Sequence, residues 1–466
     1  MNKAPDLNYH NNLVSLPSNF GSEEYYERQD IQAILETVKE NLELLNSKIN
    51  FIEELREKKI ILKPNLVTVF YKTGFEKEAY PETTDPRVID AIIQFIKPHA
   101  KEIIIAESSG RGMPTRASFH MSGLHRLAED AKISLLPLEE QPVSRYKLPK
   151  AQVMREIYIP QLFDEVVCKE AFYISVPKMK TNLYTQVTLG FKNAMGVIPY
   201  NLRQRNHNYK INEKLVDMLY LFKPNLTIID GIIGGEGNTP APVDPVESHL
   251  IISGNNPVET DRVTTRIMGI NPNTVKLISH ATDLGFGDPH VSIIGPTEQI
   301  SFRQADPSLL SEQFQKEFPN VTLLVGNRKN DAPHIKSLNK REQIKLSVVQ
   351  EIEQACVGGC LASVRTGLDY IKYMGHPTDF PLVIIIGEGI KIEGQIYYFD
   401  KKGEAYSSKD IAAMPHKKLA MGTCTFHIKE VADLYIHGCM PKPIDPVFGL
   451  FSLLDLKNYF FKSITQ

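Results

Sequence analysis

The sequence predicts an α/β fold, a mostly parallel sheet flanked by helices, with a second, smaller α/β domain at the C-terminal end. Three observations carry this. Short β-branched runs alternate with helix-length amphipathic segments, as in KKIILKPNL, DPRVIDAIIQFIK and EIIIAESSG, and strand, turn and helix in that rhythm make βαβ units. Several strand runs, such as TIID and LIIS, are continuously apolar rather than alternating, which fits strands buried on both faces. At 466 residues the chain also exceeds one ordinary core, so two or three domains are expected.

Taken in order, residues 1–57 form a helical N-terminal extension. A polar start leads into a stretch from Ile31 to Leu55 with Ile34, Leu35, Val38, Leu42 and Leu45 at helical spacing. Residues 58–296 form the central α/β domain, whose rhythm returns in AFYISVPKMK, in KLVDMLYLFKPNLTIIDGIIGGEG and in SHLIISGNNPVETDRVTTRIMG. Residues 297–345 are polar and punctuated, a connecting region with one strand, VTLLVG. Residues 346–466 form the C-terminal α/β domain: a helix through EQACVGGCLASVRTGLDYIKYMG, a strand in PLVIIIGEGI, another in KLAMGTC, a helix near HIKEVADLY and the turn IHGCMPKP.

Composition narrows the function classes. Lys and Arg number 53 against 55 Asp and Glu, a net charge of −2, so no basic domain marks a nucleic-acid partner. The N-terminus has neither a basic n-region nor an apolar h-region, so no signal peptide is expected. The longest apolar runs, such as Phe380 to Gly387, fall far short of the ~20 residues a membrane span needs. The expected location is the cytoplasm, with no membrane partner. In that reducing setting, the 5 cysteines are core residues, redox thiols or ligands rather than a disulfide framework.

Ligands of open parallel sheets sit beyond the carboxyl ends of the strands, and polar residues fall there repeatedly. Lys63 follows IIL; Glu107, Ser108 and Ser109 follow IIIA; Lys178 and Lys180 follow YISVP. Asp230 follows LTII, with Glu236 in a glycine-rich turn after it; Asn255 and Asp261 follow LIIS. Lys192 and Asn193 lie in TLGFKNAMG and His207 in RQRNHN. Lysines bind phosphate or carboxylate as point charges, and Asp, Glu and His move protons or ligate a metal. A lone lysine after a strand is ordinarily a solvated surface residue; the number of such residues at equivalent strand ends is what suggests a small anionic ligand. The glycine run is no P-loop, since GxxxxGK[ST] is absent.

The ordered set IILKPNL, TTDPRVIDAII, VPKMKT, VTLGFKNAMGVIP, RNH, TIIDGIIGGEG and NPVETDRVTTRIMG resembles the family known as domain of unknown function 362, over about residues 58–296. The resemblance implies an α/β fold and carries over Lys63, Asn65, Lys178, Lys180, Lys192, Asn193, His207, Asp230, Glu236 and Asp261 as matched polar positions. It also implies a link to iron–sulfur segments, which members often have. Where many members have a histidine after the KxKT lysines, this chain has Asn182.

Cys356 and Cys360 lie in CVGGC, Cys424 in MGTC and Cys439 in IHGCMPKP, all beside glycine or in glycine-containing turns. Glycine lets the backbone approach a bulky cluster closely, and four thiolates satisfy an iron–sulfur ([4Fe–4S]) cluster or a tetrahedral zinc. The spacing is neither a ferredoxin run nor a zinc ribbon, and four unrelated core cysteines are the alternative.

The function expected from these residues is that of an enzyme or redox protein. A small anion is held by Lys63, Asn65, Lys178, Lys180, Lys192, Asn193 and Asp261, with Asp230, Glu236 and His207 as acid–base candidates. Cys356, Cys360, Cys424 and Cys439 hold an iron–sulfur cluster, and electrons pass to a transfer partner. The alternatives are a non-redox, metal-dependent isomerase or hydrolase, and a protein that stores or delivers a cluster or metal.

Overall fold

The computed structural model describes residues 2–3, 29–67, 82–110, 114–203, 210–239, 243–326, 357–392, 394–439, 441 and 444–457. They divide into two compact units, one within 1–204 and 210–305, the other from Asp306 onward.

The first unit is built on a nine-stranded sheet. Its strands are β1 (Asn2–Lys3), β2 (Lys59–Lys63), β3 (Glu102–Glu107), β4 (Ser134–Pro137), β7 (Ala171–Ser175), β8 (Lys178–Asn182), β9 (Gln186–Thr188), β10 (Leu226–Glu236) and β11 (Asp244–Gly254). A separate hairpin pairs β5 (Val143–Lys147) with β6 (Glu156–Pro160). The main order is β1-β11-β10-β7-β2-β3-β4, with β8 beside β10 and β9. Strands β4, β3, β2, β7 and β10 run parallel, while β11 returns antiparallel to β10.

The continuous apolar runs have the expected cause. In β2, Ile60 and Leu62 enter one core and Ile61 the other, because successive side chains point to opposite faces. Helix α1 (Gln29–Ile49) covers one face and belongs to the same core: Ile34, Val38 and Leu42 pack with the strands, and the Asn41 amide donates to the Ile251 carbonyl at 3.1 Å. Helix α2 (Pro86–Ile96) begins where its sequence dictates. Asp85 caps it by accepting from the Arg87 N–H, and Pro86 occupies the first turn, where a missing N–H costs nothing. Helix α3 (Pro257–Ile267) repeats the device with Asn256 as cap.

The second unit holds a seven-stranded sheet of β12 (Val321–Gly326), β13 (Leu382–Gly387), β14 (Ile390–Ile392), β15 (Gln395–Phe399), β16 (Ala405–Ser407), β17 (Lys417–Met421) and β18 (Leu434–Ile436). Its centre, β12-β13-β17-β18, is parallel. Helix α4 (Ala362–Tyr373) packs against α5 (Ile444–Leu453). The fold class is therefore the expected one: two α/β units with mostly parallel sheets. Among the described residues no helix is long and apolar enough to cross a membrane.

Two local readings change. GGEG is no turn, because β10 runs on through the glycines to Glu236, paired with β11. The segment near HIKEVADLY divides into a 3-10 stretch, Thr423–Val431, and strand β18.

Candidate functional site

The carboxyl ends of β2, β3 and β7 converge on a buried polar network. Lys63 ends β2 and is fully buried; its Nζ lies 2.8 Å from Glu107 Oε1, at the end of β3, and donates to Asn193 Oδ1 at 3.1 Å and to the Pro64 carbonyl at 3.2 Å. Those partners use all three ammonium donors. Asn193 is fixed in turn, its amide donating to the Lys63 carbonyl and to Ser175 Oγ at 3.0 Å. Burial pushes the Lys63 ammonium down and the Glu107 carboxyl up, toward their neutral forms, while their mutual contact opposes both shifts. Gly196 is required at this point. A Cβ there would stand 2.4 Å from Glu107 Oε1 and 2.6 Å from Lys63 Nζ.

From Asn193 the network runs on through Asn65, whose amide donates to Asn193 Oδ1 at 3.3 Å and whose carbonyl oxygen accepts from Lys180 Nζ at 2.8 Å. Lys180 also donates to the Glu82 carbonyl. Lys178 and Lys180, two apart on β8, share a face, yet Lys178 turns to Asp230 at 2.8 Å. Asp230 Oδ2 also accepts from the Asp85 N–H at 2.7 Å, and Asp85 is gripped by Arg87, Nη2 to Oδ2 at 2.6 Å. Two neighbouring carboxyls thus diverge. Burial holds Asp230 above the usual range against the pull of Lys178. Burial also acts to raise Asp85, but Arg87 and Lys178 outweigh it and keep that carboxyl low.

Lys192 stands apart from the saturated lysines. It opens the 3-10 turn Lys192–Val197, is half-buried, and has no hydrogen-bond or ion-pair partner among the described residues. Burial, reinforced by the Arg203 charge, lowers its ammonium to about 8. Arg203 donates to the carbonyls of Ser108, Ser109 and Met195, and its charge is felt by Lys63, Lys192 and Glu107 alike. Lys63 and Arg203 thus both act on Glu107 while Lys192 feels Arg203, with Glu139 a more distant carboxylate acting on Arg203.

Asp261 does not join the lysines. From α3 it accepts from the Gly190 N–H at 2.6 Å and the Phe191 N–H at 3.2 Å, pinning the turn that presents Lys192 and Asn193. Burial holds its carboxyl well above the ordinary value against those two bonds. Asn255 is carried away altogether. Because β11 is antiparallel to β10, its carboxyl end lies at the opposite edge of the sheet, by a cavity of about 360 Å³ lined by Leu44, Lys48, Asn255, Glu259 and Ile294 among others. Glu236, at the far end of β10, accepts from the Arg303 N–H at 2.8 Å. His207 lies outside the described residues. Asp85, Arg87 and Arg203 were not singled out from the sequence. The DPR cap signal marks Asp85 and Arg87 only as a helix start, and nothing local marks Arg203.

In the second unit the cysteines approach one glycine. Gly422 follows β17 with φ +98°. A Cβ there would lie 3.0 Å from Cys360 Sγ and 3.3 Å from Cys424 Sγ, so the two sulfurs flank a cradle only glycine leaves open. Cys439 follows Gly438, whose carbonyl accepts from the Thr423 N–H at 3.1 Å, and is exposed. Cys356 lies outside the described residues. Among the described residues no three Cys, His, Asp or Glu side chains are grouped closely enough to hold a metal ion. Two soft thiols at an open glycine fit part of a thiolate site for iron–sulfur or zinc. Cys168 is exposed in the first unit.

Residues 60–266 match the family model described as Domain of unknown function (DUF362), the family that the motifs resemble. A thylakoid-associated protein of Synechocystis sp. is 26% identical over 277 residues, 58% of this chain and 80% of its own length. A crystal structure of a Thermotoga maritima protein covers 87% of this chain and 91% of its own, with 11% identity and a TM-score of 0.33, a likeness too distant to carry an argument.

Proposed function

We propose that the protein is an enzyme that binds a small anion, a carboxylate or phosphate, at Lys192 and Arg203, and that its second unit carries a thiolate-bound iron–sulfur cluster. The observation that carries the anion site is the pair of cations on one turn: Lys192 opens the turn and Arg203 bonds its Met195 carbonyl, with Lys192 left without a partner among the described residues while its neighbours are saturated. Lys63, Asn65, Lys180 and Asn193 hold the frame, Asp261 pins the turn, and Asp230, its carboxyl raised by burial beside the lowered Asp85, is the acid–base candidate. Divalent-metal catalysis in this crevice has less support, because Asp85, Asp230 and Glu107 are already engaged by Arg87, Lys178 and Lys63.

The cluster reading rests on Cys360 and Cys424 at Gly422, with Cys439 and Cys356 as the remaining candidates. A bound cluster would supply one-electron chemistry. The test has two arms on the full chain. Titration calorimetry with inorganic phosphate and with acetate should show binding that Lys192→Met weakens at least about tenfold, the loss of one charge-assisted contact, with an unchanged melting temperature. Protein purified without oxygen should hold about four iron and four sulfide per chain, lost in Cys360→Ser and Cys424→Ser. No anion affinity in wild type, or affinity unchanged in Lys192→Met, removes the first half. Zinc alone, or no metal, removes the second.

A further inference from the structure

Lys192 has features that anion binding alone does not require. Most lysines at the end of this sheet are locked: Lys63 uses every donor, and Lys178 and Lys180 are fully buried against Asp230 and Asn65. Lys192 is half-buried and has no partner among the described residues. Its backbone is nonetheless rigidly placed. Asp261 holds the Gly190 and Phe191 amides before it, and Asn193 after it is bonded to Lys63 and Ser175. Arg203 is anchored nearby on the Ser108, Ser109 and Met195 carbonyls. Those bonds occupy three of the five guanidinium donors.

Resting on the anion-site reading, we infer that Lys192 is a nucleophile that forms an imine with a small 2-oxo acid, whose carboxylate is balanced by Arg203. A lysine beside another cation in a desolvated setting is the recognised arrangement for an imine-forming amine. The cation that acts on it is Arg203, bonded to the Met195 carbonyl of the same turn; together with burial it brings the Lys192 ammonium to about 8, so a useful fraction is the neutral amine near neutral pH. The chemistry balances without a further reactant. The Nζ lone pair adds to the keto carbon, and one Nζ proton passes to the carbonyl oxygen. The second leaves with that hydroxyl as water, and a C=N bond replaces C=O. No group is oxidised or reduced.

The test uses the full chain with pyruvate and with glyoxylate as probes, each followed by sodium borohydride, which reduces an imine to a stable amine. Peptide mapping by mass spectrometry should find one saturable adduct on Lys192, slowed by inorganic phosphate and rising with pH through about 8, the value to which burial and Arg203 bring the amine. Lys192→Arg, which keeps the charge, should lose trapping at least about a hundredfold, with an unchanged melting temperature and pyruvate binding by NMR retained. Pyruvate bound but no adduct on Lys192, or labelling spread evenly over exposed lysines, overturns the imine and leaves the anion site standing. Neither binding nor trapping overturns both.

Discussion

The polar end of the first unit and the cysteine turns of the second handle buried chemistry in opposite ways. In the first, Lys63 with Glu107 and Lys178 with Asp230 complete one another, so charge is buried but compensated. In the second, two thiols approach one glycine over an apolar parallel sheet. The difference teaches where to look for function. A saturated ion pair leaves a ligand no free donor or acceptor, whereas an unsatisfied group held by a rigid frame, such as Lys192, does leave one.

Substitution can break this comparison at its firmest point. Lys178→Ala should leave Asp230 buried without its counter-charge, at a cost of about 3–5 kcal/mol in denaturant unfolding. Lys178→Met with Asp230→Leu should recover most of that, because an apolar pair of similar volume often replaces a buried ion pair without loss. A loss below about 1 kcal/mol for Lys178→Ala, the level of an exposed pair, would mean that the pair is not buried in solution.

Gly422→Ala probes the other side. At φ +98° a Cβ is strained, at about 1–3 kcal/mol, and it enters the space between the sulfurs. The variant should lose iron and sulfide even where it stays folded, and full retention would place the cluster elsewhere. The smallest effect is expected at Glu236. Its ion pair reaches a half-exposed Arg303, so Glu236→Gln should change stability by less than about 1 kcal/mol and leave phosphate binding unaltered. A large loss of binding would return Glu236 to the site.

The two units differ in how legible they were. Strand ends in the first unit read directly: Lys63 and Glu107 follow short apolar runs and meet as neighbours because β2 and β3 are adjacent and parallel. The CVGGC and MGTC turns also marked Cys360 and Cys424, and the structure brings both to Gly422. Placing Asn255 with the other strand ends misplaced it, since nothing within LIIS states that β11 runs backward. The same reading treated the lysines as equivalent. Yet the Lys178 side chain is bonded to Asp230 and that of Lys192 to no described residue.

By itself, the amino-acid sequence determined the βαβ rhythm, the two-faced burial of the strands, the caps at Asp85 and Asn256 and the family resemblance. All of these are written in neighbouring residues, because periodicity and capping act within one or two turns of chain. Tertiary structure alone decided strand direction at β11, the pairing that saturates Lys63 and leaves Lys192 open, the opposed shifts of Asp85 and Asp230, and the meeting of Cys360 with Cys424. The physical reason is range. Burial, charge balance and sulfur proximity depend on residues tens to hundreds of positions away, brought together only when the sheets close.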